Sequence, residues 1–203
     1  EEPYLGSMFK KISYDQVYDE HIFIFSISSI IKIFKLYDLE LIDVIPQDTH
    51  GGSMRYILKR KGIGEKSQNL KRFLENEKRE KIDSIESCFE FKKKCEESKK
   101  RVYDKLKKMK EDGKNICGYA ATSKSTTILN YCNIDAKIIN FICDTTVEKI
   151  GKYSPGMHIP IVDMKHFYKN LPDSIYLFAW NHKDEILKKE KNFKGEWFSH
   201  VAL

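Results

Sequence analysis

The sequence predicts an α/β protein that closes with a three-layer unit on a small, mainly parallel sheet. Three observations carry that expectation. Between residues 113 and 203, short apolar runs alternate with segments of helical period, as in successive strand–helix units. Ahead of them, residues 62–112 form a densely charged stretch of helical period, read as a connector. Residues 1–61 read as a loop, a helix and two strands around a turn-rich loop.

Taken in order, the first helix is expected from about Tyr14 to Tyr37. Strands are expected over Leu39–Ile45 and Ser53–Lys59. They are joined by Pro46-Gln47-Asp48-Thr49-His50-Gly51-Gly52, residues that favour turns. In the connector, 17 Lys and Arg stand against 12 Asp and Glu from Glu65 to Lys114. The signs alternate, as in Glu75-Asn76-Glu77-Lys78-Arg79-Glu80-Lys81, which predicts a solvated helix with i,i+4 ion pairs. Ile82, Ile85 and Phe89, then Val102, Leu106 and Met109, step by three and four and predict one buried stripe. In the last segment Asn115–Tyr119 reads as a strand, Ser125–Cys132 as a helix and Ile138–Cys143 as a second strand. After a loop, Met164–Lys169 is a short helix. Ser174–Trp180, His182–Lys191 and Trp197–Val201 complete the alternation as strand, helix and strand. In such sheets ligands sit beyond the carboxyl ends of the strands.

Composition bounds the rest. A chain of 203 residues makes one mid-sized domain or two small ones and buries a core without staples. Hydrophobic residues at 41% and charged residues at 33% exclude disordered and membrane classes. The longest apolar stretch, Ile22–Phe34, is interrupted by Ser26, Ser28, Ser29 and Lys32 and is shorter than the roughly 18 residues of a membrane span. The opening Glu1-Glu2-Pro3 offers no signal peptide. Five cysteines without a CxxC pair argue against a disulfide framework or zinc knuckle and predict core thiols. The expected compartment is the cytosol. Net charge of +6 raises nucleic acid as a partner, but +5 of it lies in the alternating connector and no basic patch interleaves with aromatics. Neither nucleic acid nor membrane is expected to bind.

Four strings carry possible chemistry. Gly118-Tyr119-Ala120-Ala121-Thr122-Ser123-Lys124-Ser125-Thr126-Thr127 follows a strand and opens a helix. It lets a phosphate reach backbone N–H groups beside Lys124, or it is an ordinary strand-to-helix turn with hydroxyl caps. It matches neither GxGxxG nor the Walker pattern. Asp144, 26 residues past Gly118 at a strand end, stands where an acid holds a ribose hydroxyl and where a turn Asp is also common. Tyr14-Asp15-Gln16-Val17-Tyr18-Asp19-Glu20-His21 packs phenols, carboxylates and an imidazole together. If helical, Gln16 and Glu20 are four apart, and Tyr14, Tyr18 and His21 share a face. A His beside a carboxylate is a natural general base; the other reading is a polar helix start with a hydrogen-bonded His. The glycines of Thr49-His50-Gly51-Gly52-Ser53 bring backbone close to a ligand or to a packed neighbour. The loop Lys149–Pro160, with Lys152, Tyr153 and His158, shares the ligand end of the sheet with Trp180-Asn181.

Together these strings resemble the C-terminal half of the S-adenosylmethionine-dependent sugar C-methyltransferases of nucleotide-deoxysugar pathways. The residues are Glu2-Pro3-Tyr4-Leu5, Tyr14 to His21, Phe25-Ser26 and His50-Gly51-Gly52-Ser53-Met54-Arg55. They continue in Gly118-Tyr119-x-Ala121-x-x-Lys124, Leu129-Asn130-Tyr131-Cys132, Lys149-x-Gly151-Lys152-Tyr153-x-Pro155-Gly156-x-His158-Ile159-Pro160 and Trp180-Asn181. Ala120 and Ser125 depart from it, standing where the family often has Gly.

The resemblance implies a Rossmann-like substrate domain at 113–203 and, at 1–61, the C-terminal end of a methyl-donor domain, entered near its fifth strand. S-adenosylmethionine is the implied cofactor, held mostly outside this chain by a missing N-terminal half. Zinc belongs only to an N-terminal domain, and no metal is expected here. The implied substrate is a nucleotide-diphospho-4-keto-deoxysugar, converted to an enolate that takes the methyl group on carbon; this fragment alone is expected to be inactive. His21 is the implied base, Glu20 its orienting or tuning group and Tyr18 a donor near the sugar. The implied substrate-binding set is His50, Arg55, Lys124, Ser125, Lys152, Tyr153 and His158, with Asp144 on a ribose and Trp180 and Asn181 at the rim. The competing class is a non-catalytic module that binds a nucleotide-sugar or a partner. A nicotinamide-dependent enzyme lacks its dinucleotide fingerprint here.

Overall fold

The computed structural model describes residues 1–202. It divides into two compact units, Glu1–Cys95 and the residues from Glu96 onward, and the division falls inside one long helix.

The first unit is built on an antiparallel sheet in the order β1-β3-β2, formed by β1 (Glu2–Pro3), β2 (Leu39–Gln47) and β3 (Ser53–Arg60). The expected hairpin is present, with Leu39 opposite Arg60 and Gln47 opposite Ser53. Around it lie α1 (Leu5–Lys11), α2 (Ile27–Lys35), α3 (Gln68–Glu80) and the start of α4 (Ile85–Glu111). The long helix expected from Tyr14 is corrected: Tyr14–Gln16 is a single 3-10 turn, and α-helix begins only at Ile27. The reason is a capping box. The Ser26 hydroxyl accepts from Ser29 N, and Ser26 N donates to Ser29 Oγ, both at 3.0 Å, which fixes the helix start. Segment Leu5–Lys11, expected as loop, is helical and ends where Ile12 turns left-handed at φ 55°.

Tyr4, Ile27, Ile30, Leu41, Val44, Met54 and Leu70 form this unit's core. Burial, and then the Glu77 carboxylate, push the Tyr4 and Tyr56 phenols above their ordinary value of 10.0. A folded pKa raised above the unfolded one gives stability that is complete below pH 10 and lost as pH climbs through the folded values. Urea midpoints are therefore expected to fall above about pH 10, and to fall less in a Tyr4→Phe/Tyr56→Phe double variant.

The second unit carries a five-stranded, all-parallel sheet in the order β6-β5-β4-β7-β8. Its strands are β4 (Ile116–Tyr119), β5 (Phe141–Cys143), β6 (Ile161–Val162), β7 (Ser174–Leu177) and β8 (Glu196–Phe198). Helices α5 (Ser123–Cys132), α6 (Met164–Lys169) and α7 (Lys183–Lys189) connect them. This is the Rossmann-like three-layer arrangement expected from the alternation; β6, two residues long, is too short to read in the sequence. Cys117, Tyr119, Phe141, Cys143, Phe167, Ile175 and Leu177 fill one core. With β5 on one side of β4 and β7 on the other, the chain reverses its winding at β4, the topological position where such sheets open a crevice.

Helix α4 corrects the predicted stripe. Val102, Leu106 and Met109 are buried as expected, and Cys95 and Ser98 continue their row. Ile85 and Phe89 instead stand 61% and 63% exposed. Phe91 stacks on Phe9 at 4.7 Å, and this contact turns the other side of the first helical turns outward. Four cysteines are buried and Cys88 is exposed. Among the described residues no helix is long and apolar enough to cross a membrane, and no group of three metal-ligating side chains gathers.

Candidate functional site

In the first unit the chain folds back on itself through consecutive tight turns. Gln16 N donates to Ser13 O at 3.2 Å, Val17 N to Tyr14 O at 3.1 Å, and His21 N to Tyr18 O at 2.9 Å. These turns return the His21 ring onto its own loop. Its Nδ1 lies 2.8 Å from the Gln16 carbonyl oxygen and its Nε2 3.1 Å from the Tyr18 hydroxyl. The two rings are 4.2 Å apart. Thus His21 and Tyr18 do meet, but through turns, and the helix face shared with Tyr14 does not form. Glu20 is exposed, and the group on Nδ1 is a main-chain carbonyl. Burial, and then the Glu20, Asp15 and Asp19 charges, raise the Tyr18 pKa, so Tyr18 remains a phenol donor.

The hairpin turn brings in a second imidazole. His50, at φ 56°, meets His21 edge-on with ring centroids 5.3 Å apart. The paired glycines beside it serve a packed neighbour: a Cβ on Gly52, at φ 135°, would lie 2.6 Å from the Ser7 Cβ, and Lys11 Nζ donates to Gly51 O at 2.5 Å. Arg55 is exposed and pairs with Glu1 at 3.0 Å. The Thr49 hydroxyl and Arg55 together hold the Glu1 carboxyl below its ordinary value.

In the second unit the loop after β4 is satisfied from within. Ala121 N donates to Asp144 Oδ2 at 2.6 Å, and Thr146 N to Asp144 Oδ1 at 2.7 Å. Lys149 Nζ donates to Ala121 O at 2.8 Å and lies 4.0 Å from Asp144. Buried Asp144 therefore ties the loops after β4 and β5 together. Ser125 N donates to Thr122 Oγ1 at 3.2 Å and Ser125 Oγ to Thr122 O at 2.6 Å, a hydroxyl cap at the start of α5. Lys124 does converge with the strand rim. Its buried ammonium donates to Asn181 Oδ1 at 2.9 Å and lies 4.6 Å over the Trp180 ring. Lys152, Tyr153 and His158 are exposed on the 149–160 loop. Asn130 anchors that loop: its Nδ2 donates to Pro155 O at 3.1 Å. A Cβ on Gly156, at φ 77°, would sit 1.9 Å from Asn130 Oδ1, so these two strings interlock.

Ala120 shows why a glycine suits its position, because its φ is 72°. Ala120→Gly is expected to stabilise the protein by about 1 kcal/mol, read as a rise in urea midpoint at unchanged slope. Sequence reasoning missed the crevice itself, a cavity of about 320 Å³ lined by Tyr119, Asp144, Met164, His182, Glu185 and Lys189, among others. The signal for it is the spacing of Glu185 and Lys189, four apart and so on one face of α7, with His182 just ahead of that helix. It also missed Gln16, whose contribution is a backbone atom.

The described groups are a phenol–imidazole pair on one unit and, on the other, a parallel-sheet crevice and an enclosed lysine, in a protein of the α/β class. Comparison with known proteins narrows that class. A family described as C-methyltransferase C-terminal domain matches residues 48–201, and the chain belongs to that family. It is 31% identical over 194 residues to the C-methyltransferase NovU of Streptomyces niveus. The alignment covers 95% of this chain and 46% of NovU, so the chain spans about half the length of that curated relative.

Proposed function

We propose that this chain is the C-terminal part of a S-adenosylmethionine-dependent C-methyltransferase acting on a nucleotide-diphospho-4-keto-deoxysugar. The observation that carries the reading is the His21–Tyr18 pair, with Nε2 and the hydroxyl 3.1 Å apart. A carbon next to a ketone loses its proton only when a base reaches it and donors steady the enolate oxygen. His21 Nε2 takes the α-proton. Tyr18, kept protonated, turns its O–H to the developing oxyanion. When bound, the sulfonium donor supplies an electrophilic methyl group and leaves as a neutral thioether that needs no acid. The field of Glu20, Asp15 and Asp19 that raises the Tyr18 pKa suits a positively charged donor. Residues 1–61 are read as the end of the donor domain, 62–112 as connector and 113–203 as substrate domain. In the last, Lys124 and Lys152 would face the diphosphate, and Asn181 and Trp180 orient Lys124.

Calorimetric titration of the 203-residue chain tests this. A thymidine-diphospho-sugar is expected to bind, with affinity at least about tenfold weaker in Lys124→Ala, while S-adenosylmethionine is expected not to bind. Nucleotide-sugar heat unchanged by that variant would remove Lys124 from the site. No binding at all would overturn the substrate-domain assignment.

A further inference from the structure

Resting on the reading of His21 as base, we propose that Gln16 is its positioning residue, fixing which ring nitrogen carries the proton. The Gln16 carbonyl lies 2.8 Å from His21 Nδ1, and a carbonyl oxygen can only accept. Nδ1 therefore bears hydrogen, and the lone pair of the neutral ring is on Nε2, where the Tyr18 hydroxyl donates to it at 3.1 Å. Free histidine in water prefers the opposite tautomer, so the loop imposes this one. The proton taken from substrate then has one destination, Nε2. Once there, Nε2–H donates back to the Tyr18 oxygen, and the phenol hydrogen is released toward the enolate. The Gln16 carbonyl meanwhile faces a cationic ring and stabilises it, as an outer-shell acceptor does for a metal-bound His.

The Gln16 side chain holds that carbonyl in place. Residue 16 is buried, its Nε2 donates to Ser13 Oγ at 2.6 Å, and its main-chain N donates to Ser13 O at 3.2 Å. Its Oε1 is buried without a hydrogen-bond partner. A buried amide half-satisfied in this way is kept at a cost that an apolar residue of the same size would not carry. The amide is therefore retained for its grip on the turn. Glu20, exposed and one residue from His21, does not make the ring contact.

The test is the histidine tautomer, read by long-range ¹H–¹⁵N correlation on the chain labelled with ¹⁵N-histidine at about pH 8.5, where free imidazole is neutral. The His21 signals are identified by their loss in His21→Asn. The expected pattern for His21 is Nδ1–H with an unprotonated Nε2. Gln16→Leu is expected to move His21 toward Nε2–H. In the full-length enzyme the same change should lower kcat about 10- to 100-fold with KM unchanged. Gln16→Glu, which keeps the length but replaces the Nε2 donor with a carboxylate oxygen that can hold the turn only by accepting from the Ser13 hydroxyl, should lose less than Gln16→Leu. A wild-type His21 in the Nε2–H form overturns the proposal. An unmoved tautomer in a folded Gln16→Leu chain overturns the role of the side chain. If the tautomer is as expected while His21→Ala turns over normally, it is the assignment of the base that fails, not the positioning.

Discussion

Replacement of His21 by Ala in the full-length enzyme is expected to lower kcat by about 10²–10⁴-fold, the range removed with a positioned general base. Nucleotide-sugar affinity is expected to stay within about twofold, because the residues assigned to the nucleotide belong to the other compact unit. Loss of kcat with preserved affinity is the signature of an interaction made only in the transition state. Tyr18→Phe separates the two members of the pair. It keeps the ring packed at 4.2 Å on His21 and removes the hydroxyl that faces Nε2. Its loss should be smaller, on the order of 10²-fold, the scale of one oxyanion donor. Steady-state rates with nucleotide-sugar and donor both saturating decide the matter: turnover by His21→Ala within about tenfold of the parent removes His21 as the base.

The parts of this fold legible in the sequence are those where local pattern and packing agree. The β2–β3 hairpin shows because turn residues sit between two strand-like runs, and the parallel sheet shows because each strand is a short apolar run before a helix-period segment. The start of α2 was hidden by continuity. Residues Ile22–Phe34 read as one mostly apolar stretch, and only the reciprocal Ser26–Ser29 cap decides where helix begins. The same cause obscured the site. Spacing groups Tyr18 and His21 but assigns their meeting to a helix face, and the resemblance implies Glu20 as the group that orients or tunes the imidazole. The group actually on Nδ1 is a main-chain carbonyl, which every residue possesses and no composition betrays. Ile85 and Phe89 fit the period of a buried stripe yet lie exposed, since periodicity fixes which residues share a face and not what covers it.

Glu77 carries the largest expected stability effect, and in the sequence it is only one charge in an alternating run. The structure leaves its residue 2% exposed and aims the carboxylate at the first turn of α2. Oε1 accepts from Ile27 N at 2.6 Å; Oε2 accepts from Ser28 N at 3.0 Å and Ser28 Oγ at 2.6 Å. Burial, and then the Glu77 charge, raise the Tyr4 pKa. An anion at a helix N-terminus satisfies amides that the helix cannot and complements its dipole. Glu77→Ala leaves two amides and one hydroxyl without that acceptor in a core that admits little water. Each orphan costs about 1–3 kcal/mol and the losses are not additive, so about 3–5 kcal/mol is expected overall. Glu77→Gln keeps one acceptor oxygen and should cost about half as much. Urea unfolding reads both through the midpoint at constant slope, and a Glu77→Ala loss below about 1 kcal/mol would show that the carboxylate is not the cap. The effect should also reach His21, the proposed base. Helix α2 begins six residues after it, so releasing the first turn loosens the C-terminal anchor of the loop that holds His21.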